Sequence, residues 1–244
     1  MLSIVVPVYN ESRRVGRSLE RLDAFGCAHV EIDKIIFVDD GSVDNTVVLV
    51  ESFLNTHSSS KISLLRHQVN QGKGAAVKTG MLASTSENTA FIDVDFSAPP
   101  EEFLRMLPLM KESDVVIASR YLPESRINKP FPLLRRCMSW TYNTLRKLIL
   151  KQSIKDSQCG LKMFNRKAIQ VIFSKTTISG LAFDTEVLTI AQANDIRVKE
   201  LGVSWSYDGY GNLKPFRSSI RMFKDLIRIR FNLSFGVYSS SKVR

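Results

Sequence analysis

The chain has 244 residues, 44% apolar and 24% charged, the composition of an ordinary globular protein with a substantial core. Its formal charge of +10 is not ordinary and implies an anionic partner: nucleic acid, a lipid headgroup surface or a phosphorylated substrate. Three widely spaced cysteines without a CxxC exclude a thiolate metal motif, and no apolar run approaches the roughly 18–20 residues of a spanning helix. The cysteines read as reduced thiols in a cytosolic setting, and the opening MLSIVVPVYNES lacks the basic lead of a signal peptide.

The first half alternates between strands and helices. LSIVVPV (2–8) is a β-branched run of the kind buried on both faces of a parallel sheet. A polar break, Asn10-Glu11-Ser12, leads into a helical pattern with Val15, Leu19 and Leu22 on one side. KIIFVDD (34–40) is the next strand, and the cap-rich Ser42–Thr46 opens a helix to about residue 56. A third strand (61–67) and helix (72–84), a fourth strand (89–95) and helix (101–112), and a fifth strand (114–120) follow. This succession predicts an α/β sheet with helices on both faces.

Residues 123–132 read as a polar, proline-containing loop. Beyond it come a long helix over about 133–152, an irregular piece DSQCGLKMF (156–164), and helices near 166–174 and 183–194. A strand over 197–205 precedes a basic helix over about 217–233. With no internal repeat or interdomain linker, a single domain is expected over 1–244. The strand–helix alternation covers about 1–120, and the changed rhythm about 121–244.

Ligands of open α/β sheets bind outside the carboxyl ends of the strands, and acids collect there: Glu11, Asp39, Asp40, Asp93 and Asp95. Within a strand, Asp93 and Asp95 would point to the same side. They read either as two solvated acids or as hard oxygen ligands for Mg²⁺ or Mn²⁺. Five carboxylates on one rim of a basic protein favour a cation or donors among them. GKGAAVKTG lacks the order of a P-loop, and no strand is followed by GxGxxG, so a nucleotide would be held by carboxylates and a metal.

Taken in order, Val6-Pro7-Val8-Tyr9-Asn10-Glu11, Val38-Asp39-Asp40-Gly41-Ser42, Asn70-Gln71-Gly72-Lys73-Gly74 and Asp93-Val94-Asp95 resemble the motifs of family 2 inverting glycosyltransferases of the GT-A fold. Ser119-Arg120-Tyr121, Asp156–Lys162 and Ala182–Leu188 narrow the resemblance to dolichyl-phosphate β-glucosyltransferases and, less closely, dolichyl-phosphate mannose synthases. The resemblance implies transfer of glucose from UDP-glucose to dolichyl or polyprenyl phosphate. The alternatives are another donor sugar (mannose, N-acetylhexosamine) or a non-lipid acceptor. It also implies a nucleotide-binding half over about 1–120, an acceptor- and membrane-facing half over about 121–244, and roles for single residues. Pro7, Tyr9, Glu11 and Asp40 would line the uridine pocket with Asp39 beside it, and Lys73 would lie near the nucleotide end of the donor. Asp93 and Asp95 would bind Mg²⁺ or Mn²⁺, and Arg120 would face the acceptor phosphate with Arg135 or Arg136. Asp156 is the place to look for a base or a positioning group. Phe96-Ser97 stands where mannose synthases usually place a further metal-coordinating Gln.

A lipid phosphate, with its second ionisation near pH ~6, is already a nucleophile at neutral pH, so cationic positioning can replace a general base. In the basic helix, Arg217, Arg221, Lys224 and Arg228 form one stripe and Ile220, Phe223, Ile227 and Phe231 another. The helix over 133–152 is similarly basic and apolar. Each is either an interfacial helix on an anionic membrane or an amphipathic helix docked on the core. The expected location is cytoplasmic, peripheral on the cytosolic face of a membrane, with a membrane-protein partner as one route of recruitment. No nucleic-acid motif appears.

Overall fold

The structure is a computed structural model describing residues 1–57, 61–209 and 215–239, with side chains from residue 218 in the last segment. Strands β1 (Leu2–Val8), β2 (Ile32–Asp39), β3 (Ile62–Arg66), β4 (Asn88–Ile92), β5 (Val115–Ser119), β7 (Leu161–Asn165) and β8 (Val198–Gly202) form one sheet in the order β3-β2-β1-β4-β7-β5-β8. Every pairing is parallel except those of β7, which runs antiparallel to both β4 and β5. β6 (Arg126–Lys129) and β9 (Ser204–Ser206) form a separate two-stranded ribbon.

Helices cover both faces, as the β-branched strands require. Under α1 (Val15–Ala28), α2 (Thr46–Thr56) and α4 (Glu102–Met106) lies a core built on Ile4, Val6, Leu19, Phe37 and Phe103. On the other face α3 (Lys73–Ala83), α6 (Arg166–Phe173), α7 (Phe183–Ala193) and α8 (Pro215–Ser234) enclose Val5, Val77, Phe91, Ile169, Leu188 and Leu226. α5 (Leu133–Leu150) packs along α8. A Cβ at Gly80 would come within 2.4 Å of Val5 Cγ1, so α3 lies against β1 at a distance only glycine allows.

Several expectations are corrected. The fourth strand ends at Ile92, so Asp93 and Asp95 stand in a turn rather than sharing a strand face; Phe96 N donates to Asp93 O (3.1 Å), and Phe96 has φ of 48°. The piece read as irregular contains β7, at the middle of the sheet. The expected strand over 197–205 is two strands, and the second pairs with β6, inside the segment read as a loop. Pro108 turns the end of the expected fourth helix into a 3₁₀ turn, Leu107–Lys111.

The topology places the crevice. From β1 the chain moves outward through β2 to β3, whereas β4 lies on the other side of β1, making the β1/β4 boundary a switch point. β1 leaves β4 after the Val5–Phe91 pair but follows β2 to Val8, so the sheet opens there at its carboxyl end. Because β7 is antiparallel, its beginning rather than its end lies on this rim, delivering residues 156–160 beside Asp93.

Candidate active site

The loops after β1 and β2 are laced together at one side of the crevice. Asn10 N donates to Ser42 Oγ (2.8 Å), Val43 N to Asn10 Oδ1 (2.9 Å), Glu11 N to Thr46 Oγ1 (2.7 Å) and Ser12 N to Asp44 Oδ2 (3.1 Å). Asn10 sits at φ 54°, a conformation asparagine tolerates better than most residues. Glu11 accepts both Nε (2.7 Å) and Nη2 (2.6 Å) of Arg14, which also reaches Asp208 through Nη1 (2.7 Å). Burial alone would lower the Arg14 pKa, but the two carboxylates raise it above the ordinary guanidinium range.

Among the nucleotide-pocket candidates only Tyr9 is broadly exposed; Pro7, Asp39 and Asp40 are buried. The Asp39 carboxylate accepts from Ser42 N (3.2 and 3.3 Å). Asp40 accepts from His67 Nδ1 (2.8 Å), Asn70 Nδ2 (2.8 Å), Gln71 N (3.0 Å) and Gly72 N (2.7 Å). Its oxygens are committed to shaping the 67–72 turn that leads into α3. The motif is assembled, and Asp40 acts within it as a backbone organiser.

That turn aims Lys73. Its Nζ lies 2.5 Å from Asp93 Oδ1. Burial would lower the Lys73 pKa, yet Asp93, Asp184 and Asp95 together raise it above the usual lysine range. Asp93 N donates to Gly160 O (3.1 Å), and Asp95 Oδ1 accepts from Ser97 N (2.9 Å). Burial and then the charge of Asp93 push the Asp95 pKa up. No described Lys or Arg forms an ion pair with Asp95. The described residues contain no group of three or more His, Cys, Asp or Glu able to hold a metal, and Asp93 and Asp95 are the candidate donors. The pair suits a hard divalent ion. Its donors are carboxylate oxygens, and an ammonium already stands as a cation at one of them.

A second charged unit lies farther along the rim. Asp156 is fully buried and accepts Nε (2.7 Å), Nη2 (2.8 Å) and the backbone N (3.0 Å) of Arg120. Burial would raise the Asp156 pKa, but the Arg120 charge and hydrogen bonds lower it. Arg120 packs over Phe131 and Trp205, 5.6 and 5.5 Å from the ring centres. Arg135 sits 4.5 Å over the same Phe131 ring, with Nη1 3.4 Å from Tyr207 Oη, whereas Arg136 is exposed. Burial pushes the pKa of the Cys159 thiol up to about 12, with the charges of Asp156, Arg120, Lys162 and Asp93 acting on it as well. It is a protonated, inert thiol.

The charged network extends to Asp184 and Glu186, for which the sequence alone implies no role. Asp184, in the first turn of α7, pairs with the fully buried Lys162. Burial raises the Asp184 pKa against the pull of Lys162 and Lys73. Glu186, also buried, accepts from Thr177 N (3.0 Å), Thr177 Oγ1 (2.7 Å), Ile178 N (2.8 Å) and Tyr238 Oη (2.7 Å), holding the loop whose Ser179 O receives Gly74 N. The available signal was two acids one turn into an otherwise apolar helix, FDTEVLTIA. Such acids are buried only when something pairs them.

Residues 3–173 match the profile described as glycosyl transferase family 2. The chain belongs to that family. A dolichyl-phosphate β-glucosyltransferase of Dictyostelium discoideum is 35% identical over 97% of the chain and 76% of its own length. Those of Saccharomyces cerevisiae (99% of the chain, 77% of the relative) and Homo sapiens (100% and 79%) are 30% and 29% identical. Among solved structures, glucosyl-3-phosphoglycerate synthase from Mycobacterium tuberculosis, in complex with Mn²⁺, UDP and glucosyl-3-phosphoglycerate, superposes with a TM-score of 0.68. It covers 95% of this chain and 80% of its own at 14% identity, which speaks to the fold alone. The fold is GT-A and the protein is a glycosyltransferase. No helix among the described residues is long and apolar enough to cross a membrane.

Proposed function

We propose that the protein transfers glucose from UDP-glucose to dolichyl or another polyprenyl phosphate with inversion, using Mg²⁺ or Mn²⁺ held by Asp93 and Asp95. The relatives named as dolichyl-phosphate β-glucosyltransferases support the substrates, and the Mn²⁺- and Mg²⁺-bound UDP complexes of the structural neighbour support the metal. The observation that carries the reading is the arrangement of two charged units on one rim, Lys73–Asp93–Asp95 and Arg120–Asp156, joined by the segment 156–160, whose Gly160 O accepts from Asp93 N. One unit suits a leaving diphosphate, the other an incoming phosphate.

When bound, the divalent ion would neutralise charge on the departing nucleoside diphosphate. The chain's own groups do the rest. Lys73 adds a second positive charge at the diphosphate end, and the exposed Tyr9 follows Val8, the register partner of Asp39. Arg120, fixed by Asp156, and Arg135, fixed over Phe131, orient a phosphate that is already ionised. Asp156 has both oxygens on Arg120 and no exposed surface, so its part is positioning rather than proton removal.

The membrane-facing part of the proposal rests on α5 and α8. α8 docks through Met222, Leu226, Ile229 and Leu233, a stripe different from the one singled out in the sequence. Ile220, Phe223 and Phe231 are left exposed beside Arg221, Lys224 and Arg228; the Arg217 side chain lies outside the described residues. α5 exposes Leu133, Leu134, Trp140 and Leu148 next to Arg136 and Lys147. Such surfaces suit peripheral binding to the cytosolic face of an anionic membrane, with or without a membrane-protein partner. Residues 1–244 would act as a single domain, the acceptor half beginning near residue 121.

The test is to incubate the protein with Mg²⁺ or Mn²⁺, a panel of UDP- and GDP-sugars and a short polyprenyl phosphate, and to look for lipid-linked product. Glucosyl lipid from UDP-glucose is expected. Product only from GDP-mannose would move the assignment to the mannose branch, and product only with soluble phosphorylated acceptors would remove the lipid.

A further inference from the structure

We infer that Lys73 is a resident counter-cation that competes with the divalent ion for Asp93, so that metal loading is coupled to arrival of the donor diphosphate. This rests on the metal-binding reading of Asp93 and Asp95 given above.

The backbone around Lys73 has little freedom. On one side Gly72 N is held by Asp40 Oδ2 (2.7 Å); on the other Gly74 N is held by Ser179 O (2.7 Å). Gly72 has φ of 107°, and a Cβ there would meet Ser179 O at 2.4 Å. A Cβ at Gly74 would meet Phe183 Cβ at 2.6 Å and Ile178 O at 2.7 Å. Two close approaches therefore clamp the first turn of α3, and what can move is the four-carbon side chain. Its ammonium passes 5.9 Å from the centre of the Phe183 ring and ends 2.5 Å from Asp93 Oδ1.

Asp93 cannot retreat toward β7, because Gly160 stands directly against its carboxylate. The two halves of the candidate metal site are therefore unequal. Asp95 forms no ion pair with a described residue, whereas Asp93 already carries a positive charge at contact distance. A divalent ion seated on Asp93 at about 2.1 Å would lie within a few ångströms of that ammonium, and like charges at such range repel strongly. A donor diphosphate changes both terms. It offers the ammonium a new anion, and it offers the ion the oxygen ligands that two aspartates do not supply. Asp184, already shared between Lys162 and the field of Lys73, keeps the lysine near the site when it leaves Asp93. Coupling of this kind is reciprocal, so UDP tightens the metal as much as the metal tightens UDP.

The test uses the full chain and Mn²⁺, with free Mn²⁺ followed by electron paramagnetic resonance, with and without UDP. The parent should bind Mn²⁺ weakly alone and much more tightly with UDP. Lys73→Met, with its fold checked by circular dichroism and melting, should bind Mn²⁺ alone about tenfold or more tighter than the parent, with a smaller gain from UDP. Lys73→Arg, which keeps the charge, should resemble the parent. Adding Asp95→Asn to Lys73→Met should abolish the gained affinity, placing it at this pair. If Lys73→Met binds Mn²⁺ alone no better than the parent while both bind it with UDP, the competition is overturned and the metal reading stands. If neither binds Mn²⁺ with UDP, both readings fall.

Discussion

Gly160 stands so close to Asp93 that a Cβ at residue 160 would lie 2.1 Å from Asp93 Oδ2. The antiparallel entry of β7 brings this residue to the end of β4, and the Asp93 N to Gly160 O bond (3.1 Å) locks the approach. Gly160→Ala is expected to push the Asp93 carboxylate off its position while leaving the core intact, since the clash is with a side-chain tip. Displacements of about 1 Å at a reacting centre can cost on the order of a hundredfold in rate. Steady-state transfer assays paired with melting curves check this: a large loss of kcat with an almost unchanged Tm.

Asp95→Asn should abolish transfer with the fold retained. The carboxylate is the half of the pair that forms no ion pair with a described Lys or Arg, and an amide is a poorer ligand for a hard divalent ion. A fall of roughly a hundredfold or more is expected, of the size seen when one preorganised charge-stabilising group is removed. Activity near the parent level, or full activity in EDTA, would falsify the metal role of Asp95.

For the Arg120–Asp156 pair, truncating the acid leaves a buried guanidinium without its counter-charge. Asp156→Asn should cost about 3–5 kcal/mol of stability, the range for breaking a buried pair from one side. It should also raise the acceptor KM more than it lowers kcat. The pH–rate profile separates positioning from base catalysis. A positioning residue leaves the profile's shape unchanged in the variant, whereas loss of an essential base would remove its acidic limb.

Stability at low pH should depend on Asp44. Burial pushes its carboxyl up, but hydrogen bonds from Thr46 and Ser12 outweigh burial and pull it from 3.8 down to about 2. The unfolded chain, with Asp near ~3.9, then binds more protons than the folded one between those values. The contribution of Asp44 is therefore fully present above about pH 4 and is lost as pH falls through its folded value. Asp44→Asn, which does not titrate, should be less stable than the parent at neutral pH, with the gap in Tm closing between about pH 4 and pH 2. A gap that stays constant across that window would contradict the assignment.

The parallel strands and most helix positions were legible because strands buried on both faces read as β-branched runs and the helices between them as amphipathic repeats. β7 was not. It is five residues long, carries Lys162, and is stabilised by neighbours from distant parts of the chain, β4 and β5. The site residues were legible as types in an order, but their pairing was not. Nothing local to Asp40 announces that its oxygens serve the 67–72 turn, and nothing local to Asp93 announces the Lys73 ammonium. Asp184 escaped because its role depends on Lys162, whose charge is buried only once the sheet has formed.

Finally, the protein should bind anionic liposomes peripherally through α8 and α5 together. A lipid phosphate stays in its bilayer, so a transferase acting on it must reach the surface, and no described helix spans one. Each basic residue near an anionic surface is worth about 1 kcal/mol, so Arg221, Lys224 and Arg228 would supply roughly 3 kcal/mol, released by salt. Exposed side chains on α5 add an apolar component: Leu133, Trp140 and Leu148 are each at least 70% exposed. Sedimentation with phosphatidylserine-containing vesicles would compare the parent with an Arg221→Glu, Lys224→Glu, Arg228→Glu variant and a Leu133→Ser, Trp140→Ser, Leu148→Ser variant. The first should lose binding most at low salt, where the electrostatic part dominates. The second should lose the residue of binding that survives at high salt. If the parent fails to sediment even at low salt, or neither variant differs from it, these helices do not carry the enzyme to its lipid.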